Sequence, residues 1–129
     1  MRLTSNVFMI GFAALVLGGV VFAATMASGP KIKLDDFAQC ISDSGGVMYG
    51  TWWCSNCQNQ KDDFGSAFKY INFVECSSPG GKDFDLCTDK NITAVPVWET
   101  AEGYRAIGRQ SLTTLSEMFS CSLPEGYVE

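Results

Sequence analysis

Hydrophobic and polar positions divide the 129-residue chain into two parts of different character. Residues 7–27 carry no charge and consist mainly of Val, Phe, Leu, Ala and Gly. A helix of that length would measure roughly 31 Å, enough to cross the hydrocarbon core of a membrane. Beyond residue 30, apolar residues recur at helical and strand spacings between Gly-, Pro- and Ser-containing breaks. We therefore predict a membrane anchor or signal segment with a short linker in residues 1–30, and a folded domain in residues 31–129.

The flanking charge predicts the orientation of this apolar segment. Arg2 and the N-terminal amine are the only positive charges ahead of it, and their retention in the cytoplasm would place the domain outside. A cleaved signal peptide is the alternative, because Val21-Phe22-Ala23 and Thr25-Met26-Ala27 offer the small residues that a signal peptidase accepts. The apolar run exceeds the roughly 7–15 residues of a usual signal core, which favours the anchor. Either alternative predicts an extracytoplasmic domain, in a periplasm, a thylakoid lumen or an equivalent compartment, secreted if the signal is cleaved.

Residues 31–129 show helical and strand patterns in alternation. We predict a first helix that ends at Ser44-Gly45-Gly46, followed by a buried strand at 47–51 and a second helix from about residue 54 through Phe68. A strand at 71–75 and a short helix at 83–90 follow. The last elements are a hairpin that pairs 97–100 with 104–107 and a helix capped by Ser111. Strands that alternate with helices and close on a hairpin predict an α/β fold, with a central mixed sheet and helices on both faces. This order is similar to that of thioredoxin.

Charge and cysteine content narrow the function. Leaving out Arg2, eight basic and fourteen acidic residues give the domain a net charge of −6, which argues against nucleic acid and anionic lipid headgroups as partners. The absence of histidine from the sequence excludes Ser-His-Asp triads and mixed Cys/His zinc sites. All six cysteines lie in the domain, which is typical of an oxidising compartment.

The pair Cys54-Ser55-Asn56-Cys57 falls between the first predicted strand and the helix that follows it. Such a pair can supply two of the four ligands of a metal site, close a small loop through a disulfide, or exchange between dithiol and disulfide. At a helix N-terminus, unpaired N–H groups and the helix dipole stabilise a thiolate, which is the attacking species in disulfide exchange. Cys57, one turn later and more buried, would resolve a mixed disulfide by attacking Cys54. Trp53 offers a flat apolar surface on which a partner chain could dock.

Pro96 is the second element of the predicted site. It directly precedes the predicted hairpin, where a cis peptide bond after Val95 would bring the turn against Cys54. The backbone of Val95 could then pair with an extended substrate. Although only about 5–6% of X–Pro bonds are cis, this position favours the cis form here.

The segment from Met48 to Lys61, with Phe64, Val74-Glu75-Cys76, Cys87, Ile92, Pro96 and Trp98, resembles a particular thioredoxin-like domain. That domain is fused to, or partnered with, bacterial and plant-type vitamin K epoxide reductase homologues. The resemblance covers residues 34–119. It implies a domain that takes electrons from newly exported proteins and passes them to a membrane reductase, which in turn reduces a quinone.

Carried over to this chain, the resemblance implies that Cys54 and Cys57 are the redox pair and that Cys76 and Cys87 form a second pair. No cofactor and no metal is expected. The chain has a single apolar segment where the family has a four-helix quinone-binding bundle, so we expect the reductase to be a separate vitamin K epoxide reductase-like membrane protein. Ser55-Asn56 stands where relatives often carry Pro-His, which alters the expected redox potential.

The remaining cysteines admit several interpretations. A structural bridge from Cys76 to Cys87 would close the Pro-Gly loop between them, while a relay role is the alternative. A four-cysteine zinc site with the Cys-x-x-Cys pair is disfavoured, because Cys76 and Cys87 lack the close spacing usual for zinc. The helices that carry Cys40 and Cys121 are expected on opposite sheet faces. We therefore expect no bridge between those two, with Cys40 a buried apolar residue and Cys121 a partly exposed thiol.

These observations predict an extracytoplasmic thiol–disulfide oxidoreductase, anchored in the membrane through residues 7–27, that oxidises thiols of exported proteins. One alternative is a disulfide reductase or isomerase supplied by a membrane electron carrier. The other is a non-catalytic, disulfide-stapled and anchored binding module.

Overall fold

A mixed four-stranded sheet organises the computed structural model, which describes residues 33–129. The strands are β1 (Val47–Gly50), β2 (Phe73–Glu75), β3 (Val97–Glu99) and β4 (Arg105–Ile107), in the spatial order β2-β1-β3-β4. β1 runs parallel to β2 and antiparallel to β3, and β3 and β4 form an antiparallel hairpin. The predicted anchor lies outside the described residues. Between residues 33 and 129, no helix has the length and apolar character needed to span a membrane.

Within residues 33–129, three α-helices and two 3-10 helices accompany the sheet. They are α1 (Asp35–Asp43), α2 (Ser55–Phe64) and α3 (Leu112–Phe119), with 3-10 helices at Gly65–Tyr70 and Asp85–Lys90. The predicted cap of the last helix is present, because the hydroxyl of Ser111 accepts a hydrogen bond from the N–H of Thr114. The second helix is shorter than predicted. Gly65 takes a positive φ of 54° and ends α2 at Phe64, so Phe68 belongs to the 3-10 helix that follows.

The two faces of the sheet are covered by different kinds of structure. Met48 and Trp98, which face each other across β1 and β3, pack in one cluster with apolar residues from all three α-helices. Tyr49 and Val97, their neighbours along the strands, point to the opposite face and pack against Cys76, Cys87 and Ile92. The α-helices therefore share one face of the sheet, and the 3-10 helix Asp85–Lys90 with its disulfide lies on the other. This mixed sheet with helices is consistent with an α/β thioredoxin-like fold.

A bridge between Cys40 and Cys121 corrects the prediction that these cysteines stay apart. Their sulfur atoms are 2.02 Å apart in a disulfide that spans 81 positions of sequence. The prediction was wrong because it placed the first and last helices on opposite faces of the sheet, whereas α1 and α3 lie on the same face. Cys121 follows Ser120, whose left-handed conformation (φ 53°) ends α3, and it is buried rather than partly exposed.

Gln60 is a fully buried polar side chain on α2. Its carbonyl oxygen accepts hydrogen bonds from the indole N–H of Trp98 (3.0 Å) and the backbone N–H of Gln110 (2.7 Å). Its amide nitrogen donates to the backbone carbonyl of Gln110 (3.0 Å) and to the carboxylate of Asp63 (3.3 Å). Because buried polar groups are tolerated when they are hydrogen-bonded, this amide joins the helix that follows the cysteine pair to β3 and to the segment before α3.

Candidate active site

Cys54 is the N-cap of α2, as the sequence predicts. Its backbone is extended (φ −86°, ψ 115°), and its sulfur accepts a hydrogen bond from the backbone N–H of Cys57 at 3.1 Å. The N–H donor and the positive end of the helix dipole both stabilise negative charge on that sulfur. Cys54 is 8% exposed, so the cysteine that we expect to attack is itself largely enclosed.

Cys57 lies one turn further along α2 and is 0% exposed. Burial, and after it the hydrogen bond to Cys54, raise its pKa from the ordinary 9.0 to about 12, against the opposing effect of a backbone hydrogen bond from Thr51. Gly50 makes room for this sulfur, since a Cβ there would lie 3.2 Å from Cys57 Sγ and 2.8 Å from the ring of Phe73. Cys54 and Cys57 are both free thiols, so the site is described in its dithiol state.

Val95 and Pro96 lie directly against the cysteine pair. The Val95–Pro96 peptide bond is cis, as the sequence analysis expected. The thiol of Cys54 faces the carbonyl oxygen of Val95 at a sulfur–oxygen distance of 3.7 Å. Pro96 continues into β3, and its carbonyl accepts the N–H of Gly108 at 2.8 Å. The structure thus brings Cys54, Cys57, Val95 and Pro96 together, while the substrate-docking role of Val95 and Pro96 stays a prediction.

The two tryptophans before Cys54 differ in exposure. Trp53 is half-buried: its indole N–H donates to Ser77 Oγ at 3.1 Å, and its ring lies 5.7 Å from the ring of Phe84. Trp52 is 49% exposed, and its indole N–H donates to the carbonyl of Gly81 at 3.1 Å. Trp53 is the residue predicted to dock a partner, but Trp52 presents the larger free surface beside the site.

Cys76 and Cys87 form a disulfide with a sulfur–sulfur distance of 2.05 Å, and both are fully buried. The pairing agrees with the sequence analysis. As disulfide sulfurs they do not supply thiolates to the four-cysteine zinc site that was disfavoured above. Since neither sulfur is exposed, the observed conformation favours the structural interpretation over direct exchange with an external thiol.

Several residues of the site went unnoticed in the sequence analysis. Glu75 accepts hydrogen bonds from the backbone of Trp52 and Ser77, and Ser77 also accepts from an indole. Gln60 supports α2 from inside the core. A polar residue at a strand end, or on the inner face of a helix, indicates that its side chain has a hydrogen-bond partner in the fold. The sequence does not identify that partner.

We expect the dithiol form to lose stability as the pH rises above about 9 because of Cys57. The unfolded chain releases this proton near its ordinary pKa of 9.0 and the folded chain only near 12. Between these two pKa values the unfolded state therefore binds fewer protons than the folded state. The stabilisation that the buried thiol of Cys57 provides is complete below the lower pKa and is lost as the pH rises towards the higher one.

Urea unfolding of the dithiol protein at about pH 8 and about pH 10.5 measures this loss. Cys57→Ser is the matched control, because it retains Tyr49 and Tyr127, whose pKa values burial also raises. The parent chain should lose more stability than the variant, and equal losses would contradict the assignment to Cys57.

Comparisons with known proteins point to the same chemistry. No protein-family model matches the chain. A curated relative, thiol-disulfide oxidoreductase LTO1 of Arabidopsis thaliana, is 36% identical over 93 residues, which is 68% of this chain and 24% of the relative. The chain thus spans about a quarter of the length of this relative. This similarity to a thiol-disulfide oxidoreductase supports the conclusion that the chain is an oxidoreductase.

Proposed function

We propose that this chain is an extracytoplasmic thiol–disulfide oxidoreductase that oxidises thiols of exported proteins through Cys54 and Cys57. Two findings support this proposal: the similarity to a thiol-disulfide oxidoreductase, and a mixed sheet with helices that is consistent with a thioredoxin-like fold. Electrons would leave the domain to a vitamin K epoxide reductase-like membrane partner, in keeping with the resemblance found in the sequence.

One observation carries the proposal: two free thiols share the first turn of α2 in contrasting surroundings. Cys54 Sγ accepts an N–H at the helix N-terminus and faces the Val95 carbonyl. Cys57 is fully buried, and its pKa is raised to about 12. Such a contrast suits a pair in which one sulfur exchanges with a partner and the other closes the disulfide internally.

The reaction is a two-electron exchange. With the pair as a disulfide, a substrate thiolate attacks Cys54 Sγ, which forms a mixed disulfide and releases Cys57 as a thiolate that takes up a proton. A second substrate thiolate attacks the substrate sulfur of the mixed disulfide, so that the substrate becomes a disulfide and Cys54 leaves as a thiolate. A disulfide of the membrane partner then accepts the two electrons, becomes a dithiol and restores the Cys54–Cys57 disulfide.

The compartment is proposed from two features of the chain. Residues 7–27 are long and apolar enough for a membrane anchor. Four of the six cysteines are paired, in the bridges Cys40–Cys121 and Cys76–Cys87, and stable disulfides are usual in oxidising compartments. Both features support a domain on the extracytoplasmic side.

A Cys57→Ser variant tests the function directly. Without the resolving sulfur, mixed disulfides between Cys54 and its partners should persist longer, because Cys57 no longer attacks Cys54 and decay is left to a second thiol of the partner or an external thiol. We expect adducts that survive non-reducing electrophoresis and disappear on reduction. Mass spectrometry of the adducts identifies exported proteins or a membrane reductase, and a Cys54→Ser/Cys57→Ser chain is the matched control.

The outcome also separates the alternatives. A chain that traps no partner would contradict the oxidoreductase and favour a stapled binding module. Alkylation of the parent chain in cells reports direction: a pair held mostly as the disulfide supports an oxidase, and a pair held mostly as the dithiol supports a reductase or isomerase.

A further inference from the structure

The active-site turn and a second loop leave the sheet side by side. Gly50 and Glu75 are register partners at the ends of the parallel strands β1 and β2, and the N–H of Cys76 donates to the Gly50 carbonyl at 2.8 Å. Beyond this point β1 continues into the turn 51–54, which carries Cys54. β2 continues into the segment 76–87, closed by the Cys76–Cys87 disulfide and called loop 76–87 below. The two segments start from one place on the sheet, so contacts between them determine where the turn lies.

Glu75 connects these two segments with a single carboxylate oxygen. Its Oε1 accepts the backbone N–H of Trp52 at 3.2 Å and the backbone N–H of Ser77 at 3.1 Å. Hydrogen bonds to a charged acceptor are stronger than those between neutral groups. The carboxylate thereby ties the turn, two residues before Cys54, to the start of loop 76–87.

Both tryptophans of the turn are attached to the same loop. The indole N–H of Trp52 donates to the Gly81 carbonyl, and the indole N–H of Trp53 donates to Ser77 Oγ, each at 3.1 Å. Ser77 Oγ in turn donates to the Gly81 carbonyl at 2.7 Å. Ser77 is 2% exposed. These bonds, with the Trp53–Phe84 ring contact, hold the turn at three points besides Glu75.

Loop 76–87 has its own internal support. Asp83 Oδ1 accepts the backbone N–H of Ser78 at 2.9 Å and that of Asp85 at 3.2 Å, and a second Asp83 oxygen accepts the Ser78 hydroxyl. The N–H of Leu86 donates to the carbonyl of Cys76 at 3.0 Å, beside the disulfide. A loop closed in this way is a fixed support for the turn, because its own ends cannot separate.

We propose that Glu75, acting with loop 76–87, is a positioning residue that holds Cys54 in register with Cys57 in the dithiol state; this inference rests on the proposed function. A disulfide constrains the turn by itself, whereas the dithiol depends on the surrounding contacts. Loss of the Glu75 bonds therefore frees the dithiol more than the disulfide. The effective concentration of one thiol at the other falls, and the exchange equilibrium shifts towards the dithiol.

Equilibration of the pair with reduced and oxidised glutathione tests this role. In Glu75→Ala we expect the equilibrium constant for disulfide formation to fall about tenfold, the effect of losing a charge-assisted bond. Glu75→Gln keeps an acceptor oxygen at the same place and should stay within about threefold of the parent chain. Alkylation followed by mass spectrometry counts the free thiols at each glutathione ratio, and near-ultraviolet circular dichroism establishes that each variant is folded.

Two further variants complete the test. Ser77→Ala removes the acceptor for the Trp53 indole and should shift the equilibrium in the same direction by about threefold, which keeps the role testable if Glu75→Ala does not fold. Glu102→Ala is the matched control, because Glu102 is an exposed carboxylate in the turn of the β3–β4 hairpin, at the opposite end of the sheet. It should leave the equilibrium unchanged.

The results distinguish this inference from the proposed function. A parent chain whose Cys54 and Cys57 do not equilibrate with glutathione would overturn both. A parent chain that equilibrates, with Glu75→Ala and Ser77→Ala indistinguishable from it, overturns the positioning role alone. A Glu75→Gln variant as perturbed as Glu75→Ala would assign the effect to charge and likewise overturn positioning through hydrogen bonds.

Discussion

Replacing Cys54 with serine is expected to abolish oxidation of a dithiol substrate, with a loss of at least about a thousandfold in turnover, as for the loss of other enzyme nucleophiles. Cys54 is 8% exposed and its sulfur faces the Val95 carbonyl, while Cys57 is 0% exposed. An incoming thiolate can therefore reach only one of the two sulfurs. A serine hydroxyl forms no disulfide, so neither the mixed disulfide nor the internal one can form.

The assay follows a two-cysteine peptide whose fluorescence changes on oxidation, with oxidised glutathione in excess. Ser55→Ala is the matched control, because Ser55 is exposed and adjacent to Cys54 in sequence, and it should retain turnover within about threefold. Cys57→Ser should lose turnover but still form one adduct per chain. Turnover that survives in Cys54→Ser would show that the Cys54–Cys57 pair is not the reacting group.

Removing the Cys40–Cys121 disulfide is expected to cost about 4–5 kcal/mol of unfolding free energy. This bridge spans 81 positions, against 11 for Cys76–Cys87, and the entropy that a cross-link removes from the unfolded chain grows with loop length. The same relation gives about 3 kcal/mol for the shorter loop. Since small domains have only about 5–15 kcal/mol of stability in total, loss of the longer bridge brings this one close to unfolding.

Urea unfolding of Cys40→Ala/Cys121→Ala beside Cys76→Ala/Cys87→Ala measures the difference. Alanine suits both pairs because three of the four cysteines are buried, and double replacement leaves no unpaired thiol to exchange with Cys54. We expect the first variant to have the lower unfolding midpoint. The reverse order would mean that packing around Cys76 and Cys87, rather than loop entropy, dominates the stability from these bridges.

The sequence was sufficient for the parts of the site that depend on local structure. Cys54 could be placed at a helix N-terminus because a short apolar strand precedes it and helix-forming polar residues follow it. The cis bond before Pro96 could be predicted from its place ahead of a hairpin, and the cap at Ser111 from its place ahead of an apolar helical repeat. Each inference uses neighbours within a few positions, where backbone sterics and hydrogen bonding decide the outcome.

What depends on the packing of distant elements could not be predicted in the same way. Periodicity shows which side of α1 is apolar, but not which face of the sheet that side covers, and the prediction for Cys40 and Cys121 failed for this reason. Trp52, which binds Glu75, and Trp98 and Gln110, which bind Gln60, lie on other elements, up to 50 positions away in sequence. The sequence shows that these side chains are polar, but only the fold shows which groups they bind.

The buried amide of Gln60 limits how the molecule can respond when the cysteine pair changes redox state. Three of its hydrogen bonds join α2 to Trp98 and Gln110, and a buried polar group that loses its partner costs about 1–3 kcal/mol. Sliding or rotation of α2 would break all three together, so the helix is mechanically fixed at this point. Formation of the Cys54–Cys57 disulfide without that cost therefore requires α2 to keep its position against β3 and the segment before α3.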